Sequence, residues 1–448
     1  MFSFNSYSRS KSSPSKALSL SGRTQIECMD RGLRSVNGAK HIIGLINSRR
    51  TVTKLFLGHN ILSDDGCVLL FTFLSSPLGR KCPIAEISLN ANSIGDRGLA
   101  AISAYLMDNT TLTELFLQDN LFTSDPKTVT QFAHAINQSH LRLLSLTTNR
   151  SLADDFCRLF LPALRSRYLH ELHLSAIGLT YSSAPYIAEY ITSTDRCQLH
   201  TLKCNGNHLT FRGVRMIIRA IERANFGLAA VELYANNILS GPDSEDTDDD
   251  VTGTGTTQGY NPNAWQDVEK LLKQVLGRNT HLKKETWKEA LQLLVYSRAV
   301  LLSSKESLND SSNTLAVPIS GFRFNHFPIE IKLHVLSFLS PTLCSSQRAR
   351  IFTYASSTST LPPLLPPLAS TSFARSAEPA VFSMCVPDPL VTMGFTTPSV
   401  WTVNNLGDRG CAPGKCMGRR SLLCHLEQRR MLWLEQVGCL AYDQTEVV

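Results

Sequence analysis

Between Val52 and Asn236 the chain returns seven times to one spacing of apolar positions. An apolar residue is followed by two others, an apolar residue, one other, an apolar residue, two others and then, in all copies but one, Asn. The copies read VTKLFLGHN, IAEISLNAN, LTELFLQDN, LRLLSLTTN, LHELHLSAI, LHTLKCNGN and LAAVELYAN, and they begin at Val52, Ile84, Leu112, Leu141, Leu169, Leu199 and Leu228. Successive starts lie 28 to 32 residues apart. The period of two inside each copy predicts a short strand, with Leu115 and Leu117, or Ile87 and Leu89, turned into a core and Phe116 and Ser88 turned out of it. Beyond each strand the period changes. In Asp96 to Leu106 apolar residues recur at spacings of three and four, which predicts a helix. A single strand and helix cannot bury their apolar faces alone, so the units must stack on one another.

The closing residues Asn60, Asn92, Asn120, Asn149, Asn207 and Asn236 stand where the chain leaves each strand. Their amides can bond backbone groups that burial would otherwise leave unpaired, which predicts a structural ladder. Ile177 takes the place of Asn in the fifth copy and predicts a kink or a weakened turn there. The outward row Phe56, Ser88, Phe116, Ser145, His173, Lys203 and Glu232 is the candidate binding surface. Gly32 to Arg49 reads as the helix of a degenerate first unit that caps the array.

A repeat of this length and pattern resembles the long helical class of leucine-rich repeats. The stretch IAEISLNANSIGDRGLAAISAYLMDNTT is similar to the ribonuclease-inhibitor-like class, shared with Ran GTPase-activating proteins and fungal inhibitor-like proteins, over roughly Gly32 to Gly241. The resemblance implies an α/β solenoid, a horseshoe of short parallel strands inside and helices outside. It implies a protein ligand on the concave face and no cofactor. It also implies one alternative, activation of a Ran-like small GTPase, for which Arg97 and Asn92 are the candidate rim residues.

The repeat is interrupted at 240–263, where six acids between Asp243 and Asp250 precede a Gly/Thr run, the composition of a solvated loop. Asp246, Asp248 and Asp250 lack the turn glycine and closing Glu of a calcium loop. Two capping helices are expected next, AWQDVEKLLKQVLGRN and Lys283 to Leu302, then a Ser-rich linker at 303–320. Phe327-Pro328-Ile329-Glu330-Ile331, Val335-Leu336 and Phe338-Leu339 with Pro341 resemble the opening of an F-box. That resemblance implies docking of a Skp-type adaptor, and through it a cullin ubiquitin ligase, on Pro328, Ile331, Val335, Leu336 and Leu339. An amphipathic helix packed on the end of the array is the alternative.

Composition narrows the remaining choices. The 448 residues carry a net charge of +7 without a Lys/Arg stripe interleaved with aromatics, so nucleic acid is not an expected partner. No apolar stretch has the length of a membrane span, so none is expected in a bilayer either. The Ser-rich, basic segment 1–26 lacks a secretory core and reads as a disordered tail, which places the protein in the cytoplasm or nucleus with its twelve cysteines reduced. The domains expected are therefore 1–26 tail, 27–302 repeats, 303–320 linker, 321–356 F-box-like segment and 357–448 irregular tail with a helix at 422–437. Cys411, Cys416, Cys424 and Cys439 lie close in sequence but match no paired zinc spacing, so no metal is expected. HExxH, GxSxG, P-loop and GxGxxG signatures are all missing, which argues against a self-contained catalytic site.

Overall fold

The computed structural model describes residues 24–237, 264–306, 324, 327–361 and 425–444. The acidic insertion at 240–263, all but the start of the linker, and Cys411, Cys416 and Cys424 lie outside the described residues. The chain forms two compact units, residues 1–272 and 273–448.

The first unit is a leucine-rich repeat solenoid. Its strands are β1 (Gln25–Glu27), β2 (Lys54–Phe56), β3 (Glu86–Ser88), β4 (Glu114–Phe116), β5 (Leu143–Ser145), β6 (Glu171–His173), β7 (Thr201–Lys203) and β8 (Ala230–Glu232). They form one open sheet in chain order, every neighbouring pair parallel. The helices between them are α1 (Ser35–Asn47), α2 (Ser63–Ser75), α3 (Asp96–Leu106), α4 (Pro126–Asn137), α5 (Ala153–Ala163), α6 (Ala184–Thr192) and α7 (Thr210–Ala224).

Three-residue strands are too short to hold together by pairing alone, and their stability comes from the layer beneath them. Leu55, Ile87, Leu115, Leu144, Leu172 and Leu202 form an unbroken inward row through the register, each 2% exposed or less. Leu57, Leu89, Leu117, Leu146, Leu174, Cys204 and Leu233 form a second such row. Helix residues such as Phe71, Ile102, Phe132, Phe156, Phe160 and Ile187 close the core from the other side. Four cysteines, Cys28, Cys67, Cys157 and Cys204, occupy buried positions as small apolar side chains, and burial pushes the Cys157 thiol up to about 12.

The helix expected for a degenerate first unit in Gly32 to Arg49 is present as α1, and a strand not foreseen from the repeat pattern precedes it. Residues 25 and 26 belong to β1 instead of a tail, and Gln25, Ile26 and Glu27 pair in register with Lys54, Leu55 and Phe56. In this unit Cys28 replaces Leu and Arg31 stands in the ladder position, which hides it from a search for Leu and Asn.

The second unit is helical. Where two capping helices are expected, a single helix α8 (Ala264–Glu306) runs on through Gly277. It is followed by α9 (Ile329–Ser337), α10 (Ser345–Ser356) and α11 (His425–Gln436). A core joins Ala290, Leu291, Leu293, Leu294 and Leu301 of α8 to Leu336, Leu343, Ile351, Ala355, Trp433, Leu434, Val437 and Cys439. Polar contacts fix the pieces: Trp287 donates to the Leu440 carbonyl at 3.1 Å, and Gln347 and Arg350 donate to the Gly438 and Val437 carbonyls at 2.8 and 2.7 Å. Glu289 accepts from both the amide and hydroxyl of Thr342. Among the described residues no helix is long and apolar enough to cross a membrane.

Candidate functional site

The strand face is built on the asparagine ladder. Asn60, Asn92, Asn120, Asn149, Asn207 and Asn236 are all buried. Each donates its side-chain amide to carbonyls of its own turn or the preceding one: Asn120 Nδ2 reaches the Leu89 and Leu117 carbonyls at 3.1 and 3.0 Å, and Asn207 Nδ2 those of Leu174 and Cys204 at 2.9 and 3.0 Å. In the reverse direction Asn60 Oδ1 accepts the Arg31 and Leu33 amides, and Asn120 Oδ1 those of Asn92 and Ile94. One asparagine thus satisfies groups on two turns and fixes the spacing between repeats. The residue before each ladder position is left-handed, from His59 (φ 57) and Ala91 (φ 51) to Ala235 (φ 55).

Ile177 leaves the preceding turn without a side-chain acceptor. That turn bonds to itself instead: the Arg150 amide donates to the Thr148 carbonyl and the Leu152 amide to that of Asn149, both at 3.1 Å. Strand pairing continues across β5, β6 and β7 without a break, so the expected kink is absent from the sheet. Asn207 compensates on the other side by accepting three amides, those of Ile177, Gly178 and Leu179.

The outward row divides by side-chain size. Phe56, Phe116, His173, Lys203 and Glu232 are partly exposed, but Ser88 is 8% exposed and Ser145 is fully buried. A serine cannot rise above larger neighbours, and Gln118 Nε2 donates to Ser145 Oγ at 2.9 Å. These two serines therefore form the floor of the face and present nothing to a ligand.

A second outward row was not singled out by the repeat pattern. It runs Lys54, Glu86, Glu114, Leu143, Glu171 and Thr201 through successive registered pairs. Lys54 pairs with Glu86, and Lys203 with Glu232 at 3.0 Å. Glu171 is held below the usual carboxylate range, chiefly by the His173 imidazole that stands 3.6 Å from it. Glu114 is raised, first by burial and then by the charge of Glu86. The signal was present in the sequence as the residue before the central Leu of each motif, but only the register shows which of these residues adjoin.

The rim candidates are accounted for differently. Asn92 is 0% exposed and committed to the ladder, so it reaches no partner. Arg97 is exposed and paired with Asp65.

On the second unit, α9 turns one face into the core and the other outward. Leu336 is 3% exposed and belongs to that core, so it is no part of any docking face. Ile331, Val335 and Leu339 are 46, 44 and 41% exposed, and Pro328, Phe327, Ile329 and Phe338 are exposed beside them. Cys439 is buried beside Trp433 and Leu434, and burial pushes its thiol up to about 12. Among the described residues no group of His, Cys, Asp or Glu is arranged to hold a metal ion.

No family model matches the chain. Among curated proteins, NACHT, LRR and PYD domains-containing protein 13 of Homo sapiens is 25% identical over 226 residues, which is 44% of this chain and 21% of that protein. The Rho GTPase-activating protein gacW of Dictyostelium discoideum is 24% identical over 240 residues, 51% of this chain and 21% of that protein. The chain spans about a fifth of the length of either relative.

Proposed function

We propose that the protein is an interaction scaffold that holds a protein ligand on the strand face of its repeats. The observation that carries this reading is the registered surface across the sheet, where Phe56, Glu114, Phe116, His173 and Lys203 stay partly exposed while the residues between them make the core. Large aromatic and charged side chains held by short, rigid strands lose little freedom on binding and suit a protein surface. The naming of leucine-rich repeats in one relative is in keeping with this.

The sharper version is a substrate adaptor, with an F-box-like α9 docking a Skp-type protein and, through it, a cullin ligase. Its support is the set of apolar residues Phe327, Ile329, Ile331, Val335, Phe338 and Leu339 on and beside one short helix, each at least 40% exposed. Apolar exposure concentrated in this way marks interaction surfaces. Activation of a Ran-like small GTPase is the second reading, resting on the repeat resemblance and on the name of the Dictyostelium relative. It must do without Asn92, and Arg97 would have to leave Asp65.

Affinity capture with the full chain separates these readings. Recovery of a Skp-type adaptor by the native chain, and its loss with Ile331→Asp and Val335→Asp, is the expected result for the adaptor. Nucleotide-dependent recovery of a small GTPase, with no adaptor, would favour the second reading.

A further inference from the structure

We infer that the strand face recognises a Lys- or Arg-bearing segment of a partner protein, with Glu114 as the central charge contact and Asn205 as a second acceptor. This rests on the strand face being the ligand surface and adds the chemistry of the ligand.

The first ground is the sign of the charge. The outward positions of the eight strands carry the carboxylates of Glu27, Glu86, Glu114, Glu171 and Glu232 against the ammonium groups of Lys54 and Lys203. The chain as a whole has the opposite sign, +7. Both lysines are already engaged, by Glu86 and Glu232, and His173 stands against Glu171 at 3.6 Å. Glu114, on a middle strand, is half-buried and no hydrogen bond or ion pair engages it among the described residues. A cation placed there meets a carboxylate crowded by Glu86 and Glu171, with only the more distant Lys54, itself paired with Glu86, to offset them.

The second ground is a buried acceptor. Asn205 is 9% exposed, and its Nδ2 donates to Glu232 Oε2 at 2.7 Å, which places it on the strand side and fixes which amide atom is oxygen. Its Oδ1 is buried without a hydrogen-bond partner. That acceptor is covered in the free chain, so a Lys or Arg donor reaches it only where binding displaces its cover, and both side chains offer several donors and no acceptor. Beside Glu114 on its own strand, Phe116 supplies a ring on which the aliphatic stem or charged head of such a side chain can lie.

The spacing is specific. By register Glu114 aligns with Thr201, so Asn205 lies three strands across and four residues further along, about 14 Å by about 13 Å, or about 19 Å in all, at ordinary strand dimensions. An extended chain covers that distance in about six residues. Two basic residues separated by that interval would engage Glu114 and Asn205 together.

The test is fluorescence anisotropy on the full chain with a labelled twelve-residue Ser/Gly peptide carrying Lys at every third position, so that pairs six apart are present, and the same peptide with Glu in place of Lys. The native protein is expected to bind the Lys peptide and not the Glu peptide. Glu114→Gln is expected to weaken binding about fivefold, more with Asn205→Ala added, and raised salt should weaken it further. Circular dichroism of both variants checks that the fold is retained. Equal affinity for the two peptides, or no change in Glu114→Gln, overturns the inference. So does binding that emerges only on deletion of residues 1–23, since that segment carries Arg9, Lys11, Lys16 and Arg23 without an acid and would then be the occupant. Capture of a partner that responds to Phe116→Ala but ignores Glu114→Gln would remove the charge assignment and leave the scaffold reading in place.

Discussion

At the residue scale the ladder decides stability. Asn120 serves five backbone groups: the carbonyls of Leu89, Leu117 and Gln118 and the amides of Asn92 and Ile94. Asn120→Ala strands several of these in a buried turn, each at about 1 to 3 kcal/mol, so a loss of about 3 kcal/mol is expected in urea unfolding. Leu115→Ala removes a fully buried side chain and is expected to cost about 2 to 5 kcal/mol, while Phe116→Ala should stay within about 1 kcal/mol and weaken ligand binding instead. Equal unfolding by the two changes would mean that the inward and outward positions are misassigned. The ladder was legible because an Asn at a fixed offset has one physical use there. Ser88 and Ser145 were misread because the pleat gives direction but says nothing of height: a short side chain pointing outward lies below its neighbours, as Ser145 does beside Gln118.

At the scale of the element, the alternation of period two with spacings of three and four was enough to place seven strands and the helices between them. It failed at β1, where Cys28 and Arg31 satisfy the geometry with the wrong residue types. It failed again at α8, which was divided into AWQDVEKLLKQVLGRN and Lys283 to Leu302, although one helix runs through Gly277 and across the interval between them. A glycine inside a helix costs only about 1 kcal/mol, and the packed row Ala290, Leu293 and Leu294 further along outweighs it. For α9 the F-box resemblance placed Leu336 with the docking residues, because a motif match names positions without saying which of two adjacent apolar residues the core takes. The structure separates them, and thermal melts can test the separation. Leu336→Asp is expected to cost several kcal/mol and melt the second unit, since it buries a charge without a partner. Val335→Asp combined with Leu339→Asp should leave the melting temperature nearly unchanged while abolishing adaptor capture.

At the scale of the molecule, composition gave the net charge of the chain but not its distribution. A chain of +7 presents a strand face with more acids than bases, and this follows from register, which puts Glu86 beside Glu114 although 28 positions separate them. The repeat predicts the solenoid because stacking is the only way such units bury their apolar faces. The identity of a ligand is written in side chains that contribute nothing to that stacking, and so the period is silent about it. The central claim, that the strand face is where a protein ligand sits, is tested most directly by site-specific photo-crosslinking in the protein's native cells. A benzophenone side chain would replace Phe116 on the strand face in one variant and Gln131, exposed on α4, in the other. The account predicts one discrete protein adduct from position 116 and none of the same mass from position 131. An adduct that forms at 131 with 116 silent would contradict it.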